Sequence, residues 1–332
     1  MTAEYQHFAG LDDVPGEGPP GPPAGYGAGQ APAGSEAGQA PAGYGAGQAP
    51  AGYGAGLIPE GLGTAGAPAP PAADPRAALE AVRAGVAKAV VGQDSVVTGL
   101  VICLLCRGHA LLEGVPGVAK TLLVRALAGT LSLRSARVQF TADLMPGDLT
   151  GSLVYDAKTA LFQFREGPVF TNLLLADEIN RTPPKTQAAL LEAMEERQVS
   201  VEGTPRPLPE PFLVAATQNP IEYEGTYPLP EAQLDRFLVK LTVPVPGRDD
   251  EIAILTRHAA GFDPGDLAAA GIAPTASAAD LAAARAAVRN VRVAAEVSGY
   301  IINLCRATRQ SPSLRLGVSP RGATALQATA RT

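Results

Sequence analysis

The chain has 332 residues, with 31 prolines, 37 glycines and a net charge of −6. Its length suggests about two domains, and the acidic balance without a long basic run argues against a nucleic-acid partner. Residues 96–106, the most apolar stretch, are too short to span a bilayer, and residues 1–10 contain no apolar signal segment. We therefore expect no membrane insertion.

The three cysteines are Cys103, Cys106 and Cys305. Cys103 and Cys106 have the spacing of a zinc or redox motif, but no second pair of ligands lies near them in the sequence. We therefore interpret both as small core residues. An odd number of cysteines without a disulfide framework is typical of a reducing compartment, so we expect a cytoplasmic protein.

Residues 1–74 are expected to form a disordered tail. A nine-residue unit repeats four times across residues 24–59, and its parent form is Ala-Gly-Tyr-Gly-Ala-Gly-Gln-Ala-Pro. Glycine and proline dominate the unit, so the segment cannot bury enough apolar area to offset the entropy of ordering. The tail would be either a flexible tether or a weakly self-associating segment that clusters through its tyrosines.

The pattern of residues 75–246 predicts an α/β domain. Two helices, at residues 76–89 and 94–107, precede short apolar runs that alternate with helical periods. Strands separated by helices indicate a parallel sheet covered on both faces, here with five strands. The strands are expected at residues 110–113, 138–140, 173–176, 212–216 and 238–243.

Residues 247–332 change to Ala-rich helical periods, which predict a separate all-helical domain. Glycine and proline residues at 261–274 mark a loop inside it. Its last helix is expected to begin at Pro320. The other helices are expected at residues 251–258, 278–288 and 294–308.

A glycine-rich loop, Gly-Val-Pro-Gly-Val-Ala-Lys-Thr, joins the first strand to the next helix and has the form of a Walker A P-loop. The backbone N–H groups of such a loop converge on phosphate at a helix N-terminus. Lys120 would add a charge on the β- and γ-phosphates of ATP, and the Thr121 hydroxyl would be a ligand of Mg²⁺. Ala119 replaces a usual glycine, which is tolerable if that residue is already helical. The residues expected to contact the nucleotide here are Gly114, Val115, Pro116, Gly117, Val118, Ala119, Lys120, Thr121 and Leu122.

Two acids end the apolar strand at residues 173–176, at the sheet edge where the phosphates would lie. Asp177 is predicted to hold Mg²⁺ and Glu178 to polarise the attacking water. A strand that ends in two solvated acids is the plain alternative, but the P-loop upstream favours a catalytic pair. The next strand leads to Asn219, which would stand beside Glu178 and help to position the water.

These motifs, in this order, resemble the MoxR family of AAA+ ATPases. The resemblance covers about residues 77–330, nearly all of the part that is expected to be ordered. Besides the P-loop it includes Val-Val-Gly-Gln at 90–93, residues 139–148, Ala-Asp-Glu-Ile-Asn-Arg at 176–181, residues 229–237 and Gly-Val-Ser-Pro-Arg at 317–321.

The resemblance implies roles for further residues. Val91 and Gly92 would line the adenine pocket, and Asn219 would be the first sensor residue. Arg236 would be an arginine finger that reaches the γ-phosphate of a neighbouring subunit, which implies a homo-oligomer, most simply a hexameric ring. Arg321 would be the second sensor, at the start of a lid helix that closes over ATP. The lid of this family usually continues through further helices, so the resemblance implies that the helical domain is truncated.

The resemblance also implies two hairpins, one within residues 145–170 and one around residues 199–205. The function it implies is hydrolysis of ATP with Mg²⁺ to drive chaperone-like remodelling or activation of a partner protein. A von Willebrand A-domain protein is the partner expected for this family.

Four other functions can be weighed against the sequence. A motor subunit like that of magnesium chelatase, or an MCM-like helicase, would share the fold, but the acidic balance argues against a helicase. A scaffold that binds ATP with low turnover is the alternative from another class, and Glu178, Asn219 and Arg236 argue against it. A GTPase would carry a guanine-reading Asn-Lys-x-Asp motif, which the sequence lacks.

Overall fold

The computed structural model describes residues 74–218 and 226–332. Of the predicted tail, only Asp74 lies within these ranges, and Asn219 lies outside them. The helices and strands are α1 (Pro75–Ala87), α2 (Asp94–Cys106), β1 (Ala110–Glu113), α3 (Lys120–Thr130), β2 (Ser135–Gln139), α4 (Pro146–Thr150), β3 (Gly151–Asp156), β4 (Leu161–Glu166), β5 (Leu173–Asp177), α5 (Pro184–Glu196), β6 (Gln198–Val201), β7 (Thr204–Pro207), β8 (Leu213–Gln218), α6 (Glu231–Leu234), β9 (Val239–Thr242), α7 (Arg248–Ala259), α8 (Ala278–Asn290), α9 (Ala295–Gln310) and α10 (Pro320–Ala330).

Two helices precede the sheet, as predicted. The side chain of Asp74 caps α1 by accepting a 2.9 Å hydrogen bond from the N–H of Arg76, and Pro75 occupies the first helical position. Most residues of α2 are buried, because this apolar helix packs against α1, α8 and the sheet. No helix in the described ranges is long and apolar enough to cross a membrane.

Five parallel strands form the central sheet in the order β2-β5-β8-β1-β9. In β5 and β8 every residue except the last is buried, as a sheet covered on both faces requires. Alternate residues of these strands pack into two hydrophobic clusters, one with α1, α2 and α3 and the other with α5. The predicted fold class, a parallel five-stranded α/β sheet of the P-loop AAA+ type, is confirmed.

Parallel pairing brings the carboxyl ends of the strands to one edge of the sheet. Gln139 at the end of β2 pairs with Asp177 at the end of β5, and Glu113 of β1 pairs with Gln218 of β8. Ligands of open parallel sheets bind outside this edge. The polar residues that terminate these strands are therefore placed for chemistry.

Both predicted hairpins are present outside the sheet. The first pairs β3 with β4 and carries exposed Tyr155 and Phe162, whose ring centroids lie 5.4 Å apart. The second pairs β6 with β7. Gly151 begins the first hairpin with a φ of +87°, a conformation that favours glycine.

The predicted helices after the sheet are present as α7, α8, α9 and α10. Leu281 and Ala284 of α8 belong to the hydrophobic cluster of α1 and α2. By contrast, α9 and α10 share a small cluster formed by Ile301, Cys305 and Ala323. Because apolar packing crosses residue 246, the domain boundary there stays a prediction.

The cysteines of the described chain are free thiols. Cys103 is buried, and desolvation raises its pKa to about 12, with a smaller contribution from Cys106. Within the described ranges no group of three His, Cys, Asp or Glu residues could hold a metal ion. The interpretation of Cys103 as a core residue is therefore confirmed, while Cys106 is half-buried.

Candidate functional site

The P-loop makes a tight turn between β1 and α3. Gly117 has a φ of +86°, and its Cα faces open space, where a ligand can approach the backbone. Lys120 begins α3, and its Nζ donates a 2.8 Å hydrogen bond to the carbonyl oxygen of Gly114 across the loop. Desolvation lowers the pKa of Lys120, and the charges of Asp177 and Glu178 oppose that shift.

Ala119 is not helical, so the condition under which its methyl group would be easily tolerated does not hold. This residue has φ +60° and ψ +25°, in the left-handed region, immediately before α3. A residue with a side chain is strained there by about 1–3 kcal/mol. The left-handed turn has a physical use, because it aims neighbouring N–H groups into a concavity that binds anions.

A cavity of about 630 Å³ opens beside the P-loop, which is within the usual range for small-molecule sites. One end is apolar, and the other end holds the charged residues of the P-loop, β2 and β5. Most of the residues predicted to bind nucleotide line it. These are Val91, Pro116, Gly117, Val118, Ala119, Lys120, Thr121, Leu122 and Asp177. Glu178, predicted as a catalytic residue, lines it too.

Three nucleotide-binding predictions fall just outside the cavity wall. Gly114 and Val115 form the start of the loop behind the lining residues. Gly92 adjoins Val91 but faces α7, since a Cβ on Gly92 would lie 2.6 Å from Oδ2 of Asp250. Its φ of +73° and this close approach explain the glycine without direct contact to a ligand.

The charged end of the cavity is organised around Asp177. Its Oδ1 accepts a 2.6 Å hydrogen bond from Thr217 Oγ1, and its Oδ2 accepts hydrogen bonds from Arg137 through NH2 (2.6 Å) and Nε (3.2 Å). The same Arg137 NH2 lies 2.7 Å from Gln139 Oε1, and Gln139 Nε2 donates to Glu178 Oε2 at 2.7 Å. We call these five residues the cavity cluster.

Glu178 adopts an unusual backbone conformation. Its φ is +58° and its ψ is +50°, and its N–H donates a 2.9 Å hydrogen bond to Thr217 Oγ1. Arg181 lies 3.4 Å from its carboxylate. A left-handed glutamate is sterically costly, and residues of this kind concentrate at functional sites. The turn directs the carboxylate into the cavity, next to Asp177.

The donor set fits Mg²⁺. This ion prefers oxygen ligands and is usually held by one or two carboxylates together with substrate phosphates rather than by a protein cage. Asp177 and the hydroxyl-bearing Thr121 both line the charged end. Asp177 already pairs with a cation, the Arg137 guanidinium.

Several lining residues were missed from the sequence. Arg137 and Gln139 lie on one face of β2, and the register of β2 against β5 puts them beside the two acids. The available signal was their spacing: residues two apart on a strand share a face, and this strand ends at the same edge of the sheet as the two acids. The apolar end is closed by α7 and the turn after it, and Arg257 of α7 donates a 2.7 Å hydrogen bond to the carbonyl oxygen of Lys88. The residues that close this end are Pro246, Ile254, Arg257, His258, Phe262 and Pro264.

Arg236 and Arg321 lie together, away from the cavity. Glu195 Oε2 accepts a 2.8 Å hydrogen bond from Arg236 Nε, and its Oε1 accepts one of 3.1 Å from Arg321 NH1. Ser319 caps α10 and donates to Asp235 at 3.0 Å. We call Glu195, Arg236 and Arg321 the surface cluster.

Among the described residues that line the cavity, neither Arg321 nor Arg236 occurs. The start of α10 is held beside α5 and α6 through Glu195 and Asp235. The role of Arg321 as a second sensor that closes over ATP stays a prediction. For Arg236 a position outside its own cavity agrees with a finger that serves a neighbour.

Similar proteins support this architecture. Residues 109–239 match the ATPase family associated with various cellular activities (AAA). The chain is 48% identical over 244 residues to "Uncharacterized protein YeaC" of Bacillus subtilis (strain 168). The matched region covers 74% of this chain and 75% of that protein. It is 43% identical over 260 residues to "Chaperone MoxR1" of Mycobacterium tuberculosis (strain ATCC 25618 / H37Rv), with coverage of 74% and 66%.

The fold also matches a solved structure. The crystal structure of a "putative ATPase" from Cytophaga hutchinsonii ATCC 33406 superimposes with a TM-score of 0.70 at 41% identity, over 77% of this chain and 79% of that chain. Identity and coverage of this extent, together with the P-loop and the five-stranded parallel sheet, establish the relationship. The chain belongs to the MoxR family of AAA+ ATPases.

Proposed function

We propose that the chain binds ATP with Mg²⁺ in the cavity and hydrolyses it to drive remodelling of a partner protein. The observation that carries this proposal is that Lys120, Thr121, Asp177 and Glu178 line the charged end of one cavity. A P-loop amine, a magnesium-binding hydroxyl and two carboxylates are the groups that phosphoryl transfer to water requires.

Each of these residues has a distinct role. The loop N–H groups and Lys120 hold the β- and γ-phosphates, while Thr121 and Asp177 hold the metal. Bound Mg²⁺ supplies positive charge against the phosphate oxygens. Glu178 accepts a hydrogen bond from the attacking water and orients it, and Asn219, which lies outside the described residues, is proposed to assist.

One observation favours a resting state of low turnover. The carboxylate of Glu178 is held by Gln139 at 2.7 Å and lies 3.4 Å from Arg181. A general base tied to two donors has less freedom to accept a proton from water. The scaffold function therefore remains the second candidate, and a turnover measurement separates the two.

Glu178→Gln is the direct test. Glutamine keeps the shape of the side chain but cannot act as a base, so ATP binding should persist while phosphate release falls by about 10²-fold or more. Glu196→Gln, which changes an exposed acid on α5, is the matched control and should turn over normally. Equal phosphate release by Glu178→Gln and the unchanged chain would exclude Glu178 as the base.

We further propose that the chain assembles into a ring, with six subunits as the expected number, in which Arg236 reaches the nucleotide of a neighbour. Arginine fingers supplied in trans are worth about 10³–10⁵ in rate in related reactions. Lys120→Ala and Arg236→Ala should each be nearly inactive, and mixing them should restore activity, because some interfaces combine an intact Lys120 with an intact Arg236. Absence of recovery on mixing would exclude catalysis in trans.

The partner is proposed from family resemblance and from the name of the relative Chaperone MoxR1. A von Willebrand A-domain protein is the class to test first, with a magnesium-chelatase-like motor as the alternative within the fold. The Glu178→Gln chain saturated with ATP should bind such a domain more tightly than the ADP-bound chain. Equal binding in both nucleotide states would argue against ATP-driven remodelling of that partner.

A further inference from the structure

Glu195 lies at a junction of three parts of the chain. It belongs to the last turn of α5, Arg236 follows the short helix α6, and Arg321 lies in the first turn of α10. One carboxylate accepts a hydrogen bond from each arginine, on different oxygens. Hydrogen bonds to both oxygens fix the plane of the carboxylate, and a fixed carboxylate in turn fixes the guanidinium that it binds.

The atoms that Arg236 uses are informative. Its hydrogen bond to Glu195 runs through Nε, the inner nitrogen of the guanidinium. A hydrogen bond at Nε sets the orientation of the guanidinium. It leaves the two terminal nitrogens free to donate to a second acceptor farther out. The fork of five N–H donors in arginine allows such a division between a holding contact and a reaching contact.

The backbone around Arg236 is only partly anchored. The preceding helix, α6, has four residues and none of them is buried, although Leu234 and Phe237 pack partly buried against the second hydrophobic cluster. Glu195, in contrast, follows Met194, which is buried, and the carbonyl oxygen of Met194 lies 3.1 Å from Nε2 of the buried His109. The well-anchored residue of the pair is therefore the glutamate.

The pair contributes little to the stability of the fold. The side chains of Arg236 and Glu195 are 31% and 40% exposed, and ion pairs at this exposure are worth roughly 0–1 kcal/mol. Its significance is geometric, because a misplacement of about 1 Å in a reacting group can cost about 10²-fold in rate.

We propose that Glu195 is a positioning residue that aims the Arg236 guanidinium out of its own subunit, toward the nucleotide of the next one. This inference rests on the proposed action of Arg236 in trans. Arg321 is the second support, since it holds the other oxygen of the same carboxylate. Glu195 itself contacts no nucleotide.

The test is a complementation experiment with the full chain. Glu195→Gln should bind ATP with unchanged affinity and fall by about 10²-fold in kcat, whereas Glu192→Gln and Glu196→Gln, exposed neighbours on α5, should keep normal kcat. A mixture of Glu195→Gln with Lys120→Ala should regain activity, because the Lys120→Ala subunit supplies a correctly aimed Arg236. A mixture of Glu195→Gln with Arg236→Ala should stay inactive, because both lesions lie on the donating side.

The outcomes separate this inference from the function on which it rests. If Lys120→Ala with Arg236→Ala shows no recovery, catalysis in trans is wrong and the inference is overturned with it. If that pair recovers but Glu195→Gln with Lys120→Ala does not, or if Glu195→Gln recovers with Arg236→Ala, the positioning role alone is overturned. A purely structural defect in Glu195→Gln would abolish recovery with Lys120→Ala, because a poorly folded subunit complements no partner.

Discussion

The cavity cluster and the surface cluster are both built on a carboxylate that pairs with arginine, yet they differ in burial. The side chain of Asp177 is 15% exposed and accepts hydrogen bonds from Arg137 and Thr217, which lie on the two strands that flank β5. The side chain of Glu195 is 40% exposed and joins Arg236 to Arg321 across the surface. The strands of the sheet hold the cavity cluster in place. The surface cluster instead connects α5, α10 and the end of α6 outside the hydrophobic core.

The difference in burial determines what each cluster can do. Charges near the interior interact more strongly than exposed ones, because exposed pairs are screened by water and salt. The cavity cluster can therefore hold a fixed charge pattern for a ligand of its own subunit. The surface cluster adds little stability, so its proposed use lies in the direction that it gives to Arg236.

The largest effect is expected from Lys120→Ala. This change removes the amine from the charged end of the cavity, and charge-assisted hydrogen bonds to phosphate are worth about 1.5–3 kcal/mol each. ATP affinity should fall by about 10²-fold or more, as measured by titration of a fluorescent ATP analogue. Lys185→Ala, which changes an exposed lysine at the start of α5, should bind normally. Normal ATP binding by Lys120→Ala would show that the Lys120 amine does not contact the phosphates.

The second effect concerns His109, which ties the end of α5 to the core. Burial lowers the pKa of His109 from 6.5 to about 4, the hydrogen bond with Met194 opposes this shift, and Arg197 and Arg321 add to it. The unfolded chain therefore takes up the proton first, so the stability is fully present above pH 6.5 and is lost as pH falls toward 4.

Between pH 7 and pH 5 this single group should remove about 2 kcal/mol from the free energy of unfolding. His109→Gln should start less stable at pH 7 but lose about that much less on acidification. Denaturant unfolding at both pH values measures the difference. If the two chains lose the same free energy, the proton uptake belongs to other groups, and His109 does not anchor the surface cluster in a pH-dependent way.

A third test breaks the cavity cluster. If Asp177 holds Mg²⁺ as proposed, Arg137 competes with the metal, because both are cations for the same carboxylate. Arg137→Gln should therefore lower the Mg²⁺ concentration needed for nucleotide binding by about 10-fold. This is a fraction of the several kcal/mol by which two unit charges interact at hydrogen-bonding distance near a protein surface. Binding of a fluorescent ATP analogue across a Mg²⁺ titration measures it, with the exposed Arg134→Gln as control. A higher Mg²⁺ requirement would mean that Arg137 supports the metal ligand instead of competing with it.

Local signals explain why so much of the cavity could be predicted. Apolar runs of strand length, a glycine-rich turn before a helix and paired acids at a strand end are all written in short stretches of sequence. They led to Lys120, Thr121, Asp177 and Glu178, which the structure brings together. The conformation of Ala119 was missed, because a left-handed alanine is rare and nothing in its neighbours indicates it.

Long-range packing explains the rest. Arg137 reaches Asp177 only because β2 pairs with β5, and no local pattern states which strands are neighbours. His258 and Phe262 line the cavity only because α7 docks at the end of α1. Arg321 lies outside the cavity because the start of α10 packs beside α5. Its expected role over the nucleotide stays a prediction. How helices dock on a surface depends on many weak contacts, and their relative strengths cannot be read from the sequence.

The smallest effect is expected from Arg321→Ala. In this structure Arg321 pairs with Glu195 outside the cavity, and its side chain is 47% exposed. An ion pair at this exposure is worth roughly 0–1 kcal/mol, so ATP affinity should change by no more than about 5-fold. The measurement is a fluorescent ATP titration at low protein concentration, where subunits bind nucleotide singly, with Arg315→Ala of the same segment as control. If α10 instead swings over the nucleotide of its own subunit, Arg321→Ala should lose the full contribution of a charge-assisted phosphate contact, about 10-fold or more. A loss of that size, with Arg315→Ala normal, would restore the lid role of Arg321 and make the surface cluster one of two alternating arrangements.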